Sequence, residues 1–289
     1  MKKRFIYYLY LLPTFVLLVP LFYYPFSLAI RNAFFSFSGS VPRFVGLQQF
    51  HTFLFEDPQT IPALENITIM TAFGLLVGIG MAFIVAELIF SLKSAFWQHF
   101  FETGFLISSL VPGVVILLIW SQLFNPSYGF INSFLQILGI NTSNILWLGS
   151  PKTALLSLLL IGFPWIGGPT VLIILAGLQN IPKDLIDYAK LEGLKGIKKI
   201  FMMDFPLVTG QIRVIFLTAL SSMIPAFTMQ LVLTGGGPGY STSVPGWQMF
   251  QAAFSFDEFG YASAIGVVIG ITILVITLIG FRYLKIVKV

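Results

Sequence analysis

IPKDLIDYAKLEGLKG, residues 181 to 196, is an amphipathic, charged segment in a chain that is otherwise strongly apolar. Of the 289 residues, 57% are hydrophobic and only 9% are charged, which is the composition of a protein with several membrane-spanning segments. The segment itself is too polar to enter a bilayer. Because apolar stretches lie on both sides of it, we expect it to connect two membrane spans.

Six apolar stretches are each long enough for the roughly 20 residues that a helix needs to cross about 30 Å of hydrocarbon. The first has a basic start, but its apolar run is too long for a signal peptide and no small-residue cleavage site follows, so we expect a retained span. Prolines in this span predict a packed bundle, because neighbouring helices must satisfy the freed backbone groups. The expected fold is one all-α membrane domain over residues 1–289, with spans near 5–30, 66–90, 100–124, 153–176, 207–233 and 260–281.

The Lys and Arg residues are distributed unevenly between the connections. Arg31, Arg43 and Lys152 fall on one side of six alternating spans, and every other Lys and Arg falls on the opposite side. Basic connections favour the cytoplasmic side of a membrane. The pattern therefore predicts a multi-pass protein with both termini and the Ile181 segment in the cytoplasm. It also assigns the positive charge to membrane topology rather than to nucleic-acid binding.

The Ile181 segment is expected to form a helix lying beneath the membrane. Pro182 suits the first turn of a helix, Asp184 places negative charge at the positive end of the helix dipole, and Gly193 permits a left-handed stop. Such a helix would carry one apolar stripe, formed by Leu185, Ile186 and Ala189, with Tyr188 as a candidate fourth member. A stripe of this kind either rests on lipid or fits a groove on a partner, and periodicity does not choose between the two.

The longer stretch GLQNIPKDLIDYAKLEGLKGIKKIFMMDFPLV, from residue 177, resembles the EAA loop of ABC-importer permeases, here placed at residues 177–206. Asp187, Tyr188 and Ala189 occupy the acidic-Ala-Ala start of that signature, Gly193 its fixed glycine and Pro206 its later proline. Asp187 keeps the charge of the usual Glu. Tyr188 adds bulk where a tight socket is expected, so the helix is expected to dock with an altered rotation.

Further stretches resemble the carbohydrate-uptake branch of these permeases, similar to the maltose-system large permease and the glycerol-phosphate permease. They follow one another in a shared order and spacing: VGLQQF from Val45, LFNPSYGFINSFLQILGI from Leu123, WLGSP from Trp147, LTGGGPGYST from Leu233 and FGYASAIGVVI from Phe259. The resemblance implies a permease subunit that imports a sugar or oligosaccharide across a bacterial-type cell (inner) membrane. Its implied partners are a second, related permease, two ATPase subunits, an extracytoplasmic solute-binding protein and membrane lipid.

The chain contains no GxxxxGK[ST] loop, and its glycine run lacks the lysine and hydroxyl that would hold ATP phosphates and Mg²⁺. We therefore expect no ATPase activity and no cofactor in this chain, with ATP and Mg²⁺ bound by a partner ATPase. The resemblance then makes residues 181–196 the segment that couples the ATPase to the membrane spans. The coupling residues that it implies are Asp184, Leu185, Asp187, Tyr188, Ala189, Glu192, Gly193 and Pro206.

A pathway for a sugar needs hydrogen-bonding groups and aromatic faces, because sugar hydroxyls must be satisfied and sugar rings offer apolar faces for stacking. The expected pathway residues are Trp120, Gln122, Trp165, Ser221, Ser222, Thr228 and Gln230, although each could instead serve ordinary helix packing. The glycine-rich turn has two interpretations, a flexible outer loop or a turn that shapes the outer mouth and meets a solute-binding protein. Its residues are Gly235, Gly236, Gly237 and Pro238.

Charged residues near the predicted cytoplasmic span ends are expected to pair there or to reach the interface rather than to relay protons. They are Glu87, Glu102, Asp204 and Arg213.

Two other function classes stay open. An ion-driven secondary transporter usually shows an internal repeat with buried acids at matching positions, and no such repeat is visible. A membrane-embedded enzyme would need a metal or nucleophile constellation, but His51 and His99 stand alone, the chain has no cysteine, and no metal site is expected.

Overall fold

A computed structural model of the protein describes residues 2–37, 41–141 and 145–283, with side chains for 10–37, 41–141 and 145–282. The basic side chains expected to hold the termini in the cytoplasm, Lys2, Lys3, Arg4, Lys285 and Lys288, lie outside the described part. Inside it, helices dominate, and the strands are limited to a two-residue antiparallel pair, β1 (Phe35–Ser36) and β2 (Arg43–Phe44). The expectation of an all-α membrane protein is confirmed.

The helices follow one another with short connections. In the first part of the chain they are α1 (Lys2–Leu18), a π-helical turn (Val19–Tyr23), α2 (Tyr24–Asn32), α3 (Gln48–His51), a π-helical turn (Thr52–Glu56), α4 (Thr60–Phe90), α5 (Ala95–Ser108), α6 (Gly113–Leu123) and α7 (Phe130–Ile137). The later ones are α8 (Ala154–Leu160), α9 (Gly168–Gln179), α10 (Lys183–Leu191), α11 (Gly196–Lys199), a π-helical turn (Ile200–Asp204), α12 (Phe205–Leu207), α13 (Thr209–Met223), a π-helical turn (Gln230–Thr234), α14 (Pro245–Phe254) and α15 (Phe259–Tyr283).

Three helices in the described part of the chain are long and apolar enough to cross a membrane. They are Tyr10–Asn32, Thr60–Phe90 and Phe259–Arg282, and they correspond to the first, second and sixth predicted spans. The first continues through Pro13, Pro20 and Pro25 by way of the π-helical turn at Val19–Tyr23. None of the side chains of residues 10–32 is buried within the described part of the chain, so the packed bundle expected from these prolines stays a prediction.

The other three predicted spans are not single helices. α5 and α6 meet at 84°, α8 and α9 are separated by residues 161–167, and α13 ends before residues 224–227. Pro112, Pro164 and Pro225 lie in these three breaks, and proline cannot donate the backbone hydrogen bond that a continuous helix needs. Hydropathy stays high through each break, so the spans expected near 100–124, 153–176 and 207–233 are interrupted helices here, and their number and extent stay predictions.

Bent pairs of helices affect the number of spans. One bent pair is α5 with α6, and another is Gly196–Leu207 with α13, bent by 65°. If each bent pair counts as one span, the described residues contain up to five spans. The count of six stays a prediction.

The chain divides into two compact units, so the single domain over residues 1–289 also stays a prediction. The first unit comprises Met1–Thr60 and Pro245–Thr272. Within it, Asp57 accepts hydrogen bonds from the Tyr261 hydroxyl at 2.5 Å and from the Gln248 side-chain amide at 3.3 Å. One carboxylate thereby ties α14 and α15 to the loop that precedes α4.

The second unit comprises Ile61–Val244 and Ile273–Val289. One of its cores is formed by α4, α9 and α13, with Ala86, Val171, Leu178 and Ile215 among the buried side chains. α5 and α9 cross so closely that a Cβ atom at Gly168 would overlap the carbonyl oxygen of Phe105. A second core joins α6 to α8 through the buried side chains of Leu117, Phe124, Leu158 and Ile161.

Candidate functional site

The helix expected in the Ile181 segment is α10, and its ends follow the predicted chemistry. Pro182 directly precedes the helix and Asp184 lies in its first turn. At the other end Gly193 has φ +70°, so the predicted left-handed stop is confirmed. The Leu194 N–H donates to the Ala189 carbonyl at 2.8 Å and the Gly193 N–H donates to the Lys190 carbonyl at 3.1 Å. This Schellman arrangement satisfies carbonyl groups that the end of the helix leaves open.

α10 presents two faces to different surroundings. Leu185 and Ile186 pack against the core formed by α4, α9 and α13, and Ala189 is buried. Tyr188 is 67% exposed. Successive residues are rotated by about 100° about a helix axis, so Tyr188 lies away from the face centred on Ala189. The expected stripe of Leu185, Ile186 and Ala189 does form one face, and it packs against the chain's own core. Tyr188, the candidate fourth member, points outward.

The exposed side of α10 combines acidic groups with two large apolar side chains. Tyr188 lies there with Leu191, which is 84% exposed. Asp187 forms an exposed ion pair with Lys190 at 2.7 Å. Of the residues implied in coupling, the exposed ones are Asp184, Asp187, Tyr188, Glu192 and Gly193, whereas Leu185, Ala189 and Pro206 are partly or fully buried.

Charged residues predicted at the cytoplasmic span ends are mostly paired. Asp204 is fully buried and both of its carboxylate oxygens accept hydrogen bonds from the Lys199 ammonium. The Arg213 guanidinium donates to the Phe281 carbonyl at 2.6 Å and lies over the Phe281 ring, which holds the end of α15. Glu102 accepts a hydrogen bond from the Gln179 side-chain amide at 3.0 Å.

A cavity of about 560 Å³ lies in the second unit where the predicted third, fourth and fifth spans are broken. Its wall combines α4, the start of α6, the connection between α8 and α9, and the chain between α13 and the π-helical turn at Gln230–Thr234. Trp165, Thr228 and Gln230, three of the expected pathway residues, line it. Segments that are distant in sequence meet here because each helix stops short.

The cavity wall is mainly apolar, and among the described residues none that lines it is charged. Its polar side chains are Thr71, Thr228 and Gln230. Thr71 is buried and its hydroxyl has no hydrogen-bond partner among the described residues, which leaves one polar group available to a ligand. The sequence analysis missed Thr71, and the available signal was a threonine within the otherwise apolar α4. Methionine and aromatic rings fill much of the remaining wall: Met70, Phe73, Met223, Phe227 and Met229.

Trp165 is held in an unusual backbone conformation at the cavity wall. Its φ is +58°, in a backbone region that residues other than glycine rarely adopt. The indole N–H donates to the Leu159 carbonyl at 2.9 Å, and the ring meets Phe73 and Phe163 edge-on, with centroids 5.4 Å and 4.9 Å away. These contacts fix the direction of the ring at the edge of the cavity.

The other expected pathway residues lie away from the cavity. The hydroxyl groups of Ser221 and Ser222 donate to carbonyl groups of their own helix. The Gln122 side chain accepts a hydrogen bond from the Tyr128 hydroxyl at 3.2 Å. Trp120 packs against Phe124 beside the second core, at a ring distance of 5.4 Å.

Gln230 has a structural task in addition to its place in the cavity wall. It is 1% exposed, and its amide nitrogen donates to the Thr242 carbonyl at 3.0 Å. The Thr242 hydroxyl in turn donates to the Gly237 carbonyl at 2.8 Å and lies 2.8 Å from the Thr234 hydroxyl. Gln230 is thus an anchor for the glycine-rich turn.

The turn at Gly235, Gly236, Gly237 and Pro238 is also anchored to α4. The Asn66 amide donates to the carbonyl groups of Tyr240 at 3.0 Å and Ser243 at 2.9 Å. Gly235 has φ +60°, which allows the chain to leave the preceding π-helical turn. The turn is a hydrogen-bonded loop of defined shape, and Asn66 is an anchor that the sequence analysis missed.

Comparison with known proteins identifies the family. The family model described as "Binding-protein-dependent transport system inner membrane component" matches residues 74–288. The chain is similar to the probable ABC transporter permease protein YurN of Bacillus subtilis, with 29% identity over 98% of this chain and 97% of YurN. It is also similar to the sulfoquinovosyl glycerol transport system permease protein SmoG of Agrobacterium fabrum, with 31% identity over 96% of this chain and 89% of SmoG.

A solved structure shares the fold. It is a bacterial alginate ABC transporter in complex with an alginate pentasaccharide-bound periplasmic protein, and the matching chain has a TM-score of 0.81 and 21% identity over 96% of this chain and 93% of that chain. The resemblance to ABC-importer permeases is confirmed. Because the family model matches well over half of the sequence, the chain belongs to the family of binding-protein-dependent transport system inner membrane components.

Proposed function

We propose that this chain is the permease subunit of an ATP-driven importer for a sugar or oligosaccharide. It would act beside a second, related permease, two ATPase subunits and an external solute-binding protein. The family description supports dependence on a binding protein. The names of two similar proteins support a saccharide cargo, since one is a sulfoquinovosyl glycerol permease and the other an alginate transporter. An ion-driven secondary transporter is not favoured.

The pathway role rests on the cavity at the helix breaks. Broken helices near the middle of the membrane are a common way to build a transport site, because they leave backbone groups facing a cavity. Trp165 and Phe73 offer ring faces for a sugar, while Thr71 and Thr228 offer hydroxyl groups. As all polar side chains in this wall are neutral, this subunit suits an uncharged part of the cargo.

The observation that carries the coupling role is the two-faced packing of α10. One face is built into the core shared with α4, α9 and α13, and the other exposes Tyr188 and Leu191. A partner that grips the exposed face would move the helix as a rigid body, since packed interiors transmit displacement rather than absorb it. ATP and Mg²⁺ would be bound by that partner, and Asp184, Asp187 and Glu192 would meet it at the contact.

The proposed topology places a multi-pass protein in the inner membrane with α10 and both termini in the cytoplasm. The chain has no cysteine, so single cysteines report accessibility without background. Lys195→Cys should react with an impermeant maleimide only after the membrane is opened. Tyr128→Cys lies between the third and fourth predicted spans, on the external side of the proposed topology. It should react with the maleimide in spheroplasts, whose inner membrane is intact. External labelling of Lys195→Cys would overturn the topology.

The function itself is tested by isolating the tagged chain from its native membrane. An ATPase and a second permease should co-purify with it, and proteoliposomes of that assembly should take up a saccharide in a vanadate-sensitive, ATP-dependent reaction. The cargo is found by supplying the co-purified solute-binding protein with a panel of labelled mono- and oligosaccharides. Gradient-driven, vanadate-insensitive uptake by the chain alone would contradict the proposal.

A further inference from the structure

Three charged residues meet where the segment after α10 reaches the end of α4. Asp204 ends the π-helical turn at Ile200–Asp204 and is fully buried. The Lys199 ammonium lies 2.9 Å and 2.7 Å from its two carboxylate oxygens. Glu87 on α4 is 8% exposed and interacts electrostatically with both Asp204 and Lys199. Two buried carboxyl groups therefore lie near one lysine, which is paired with Asp204.

The two carboxyl groups differ in their hydrogen-bond partners. Asp204 has both oxygens bonded, whereas the Oε1 atom of Glu87 is buried and has no hydrogen-bond partner in the described part of the chain. Lys199 is nevertheless close to the same part of α4, because its ammonium lies 5.4 Å from the centre of the Phe90 ring. Phe90 is three residues after Glu87 and so lies on the same side of the helix, one turn further on. A short displacement of the lysine would bring it to the second acid.

A buried carboxylate without a partner is costly, and a buried ion pair is strongly destabilised when one member is lost. Lys199 cannot satisfy both acids fully, since its ammonium has three N–H donors and two of them serve Asp204. Pairing Lys199 with Asp204 and pairing it with Glu87 are two arrangements that each contain one lysine–carboxylate pair. A conformational switch requires that two such arrangements be close in free energy.

We propose that Lys199 is a positioning residue with two stations, by which we mean two alternative carboxyl partners. The first is Asp204, in the described conformation, and the second is Glu87, when the segment around α10 is displaced. Movement of the lysine between the acids would bind the displaced segment to α4 and carry the displacement into the membrane helices. The inference rests on the proposed function, because the displacing force is assigned to the ATPase subunits. It names Glu87 as the second station.

The test uses the complete assembly purified through this chain. Glu87→Gln removes the second station, and we expect saccharide uptake to fall at least tenfold while the amount of co-purifying ATPase stays unchanged. Asp204→Asn removes the first station and should raise ATP hydrolysis that is not accompanied by uptake. Lys199→Arg keeps the charge and should retain more uptake than Lys199→Met. The matched control is Glu102→Gln, an acid with an amide partner, which should transport normally.

A structural readout separates a switch from a merely stabilising cluster. Ser91 lies one helical turn after Glu87, Lys198 directly precedes Lys199, and both are exposed, so Ser91→Cys combined with Lys198→Cys is treated with bifunctional maleimides of increasing length. Cross-linking should differ between the nucleotide-free assembly and the assembly trapped with ATP and vanadate. Adding Glu87→Gln should abolish that difference.

The outcomes distinguish the two proposals. If the unmodified assembly shows no ATP-dependent uptake, the proposed function fails. If it does show such uptake, and Glu87→Gln matches it in both uptake and nucleotide-dependent cross-linking, only the two-station mechanism is overturned. Should Glu87→Gln lower the yield of folded assembly, equal uptake per assembly for Lys199→Arg and Lys199→Met would likewise overturn it.

Discussion

Helix α10 and the cavity at the helix breaks lie in the same compact unit, yet they are built from different kinds of information. α10 and its stop depend on residues 182–194, which cap the helix, charge its first turn and end it at a left-handed glycine. The cavity depends on four separated parts of the chain that come together only after folding. No short stretch of sequence contains it.

This difference predicts how each region responds to substitution. A local motif has one position at which the backbone geometry is decided, so a single change there has a large effect. A distributed cavity spreads its contacts over many side chains, so each change has a graded effect.

Gly193→Val should have the largest effect. A Cβ atom at this residue would meet nothing within 4 Å, so the cost comes from the left-handed backbone, about 1–2 kcal/mol, together with loss of the α10 stop. We expect uptake to fall tenfold or more, with ATPase subunits either lost or bound without transport. The measurement is uptake alongside the ATPase that co-purifies at matched expression.

Gly193→Asn is the control for this change, because asparagine tolerates the left-handed region. It should transport better than Gly193→Val, and Lys195→Ala, on the exposed side beyond the stop, should transport normally. Normal transport by Gly193→Val with a full ATPase complement would remove α10 from the coupling mechanism.

Gln230→Ala should act on stability rather than on affinity alone. It leaves the buried Thr242 carbonyl without its donor, at a cost of about 1–3 kcal/mol. The melting temperature of the detergent-purified protein should fall by roughly 2–4 °C for each kcal/mol. Thr228→Val is the contrasting variant: it removes a cavity hydroxyl and should weaken uptake affinity with little change in melting temperature. The reverse pattern would show that Gln230 contacts cargo directly.

Trp165→Ala should weaken the apparent affinity for the cargo. An aromatic contact contributes about 0.5–1.5 kcal/mol, which corresponds to roughly a two- to twelvefold rise in KM. Trp165→Phe keeps a ring at the same place and should have a smaller effect. The measurement is the concentration dependence of uptake, with co-purifying ATPase as the check on assembly. An unchanged KM in Trp165→Ala would exclude this ring from the pathway.

Ser222→Ala should have the smallest effect, although the sequence placed Ser222 in the pathway. Its hydroxyl donates to the Ala219 carbonyl of its own helix at 2.9 Å, and the residue does not line the cavity. The KM for uptake should therefore stay within about twofold of the value for the unmodified protein. This change is smaller than the one expected from the loss of one neutral hydrogen bond to the cargo. A fivefold or larger rise in KM would show that the cavity does not mark the pathway.

The sequence alone was sufficient to predict the membrane class, three of the long helices, the left-handed stop at Gly193 and the family resemblance. These depend on hydropathy over about 20 residues, on cap chemistry or on the order of short motifs, all of which are local. The sequence did not separate Tyr188 from Leu185 and Ala189, because an apolar stripe on α10 does not reveal what covers it. Only the packed core decided that Tyr188 faces outward.

The tertiary structure alone decided which of the expected pathway residues line one cavity and which acid pairs with Lys199. Hydropathy passes through Pro112, Pro164 and Pro225 without a change, so the breaks, and the cavity where they meet, depend on how the helices pack. Phe90 and Lys199 are 109 positions apart in the sequence, and they meet only because the segment after α10 folds back against α4. Helix caps and hydropathy act between neighbours along the chain, whereas cavities and buried charge clusters depend on contacts that exist only in the folded protein.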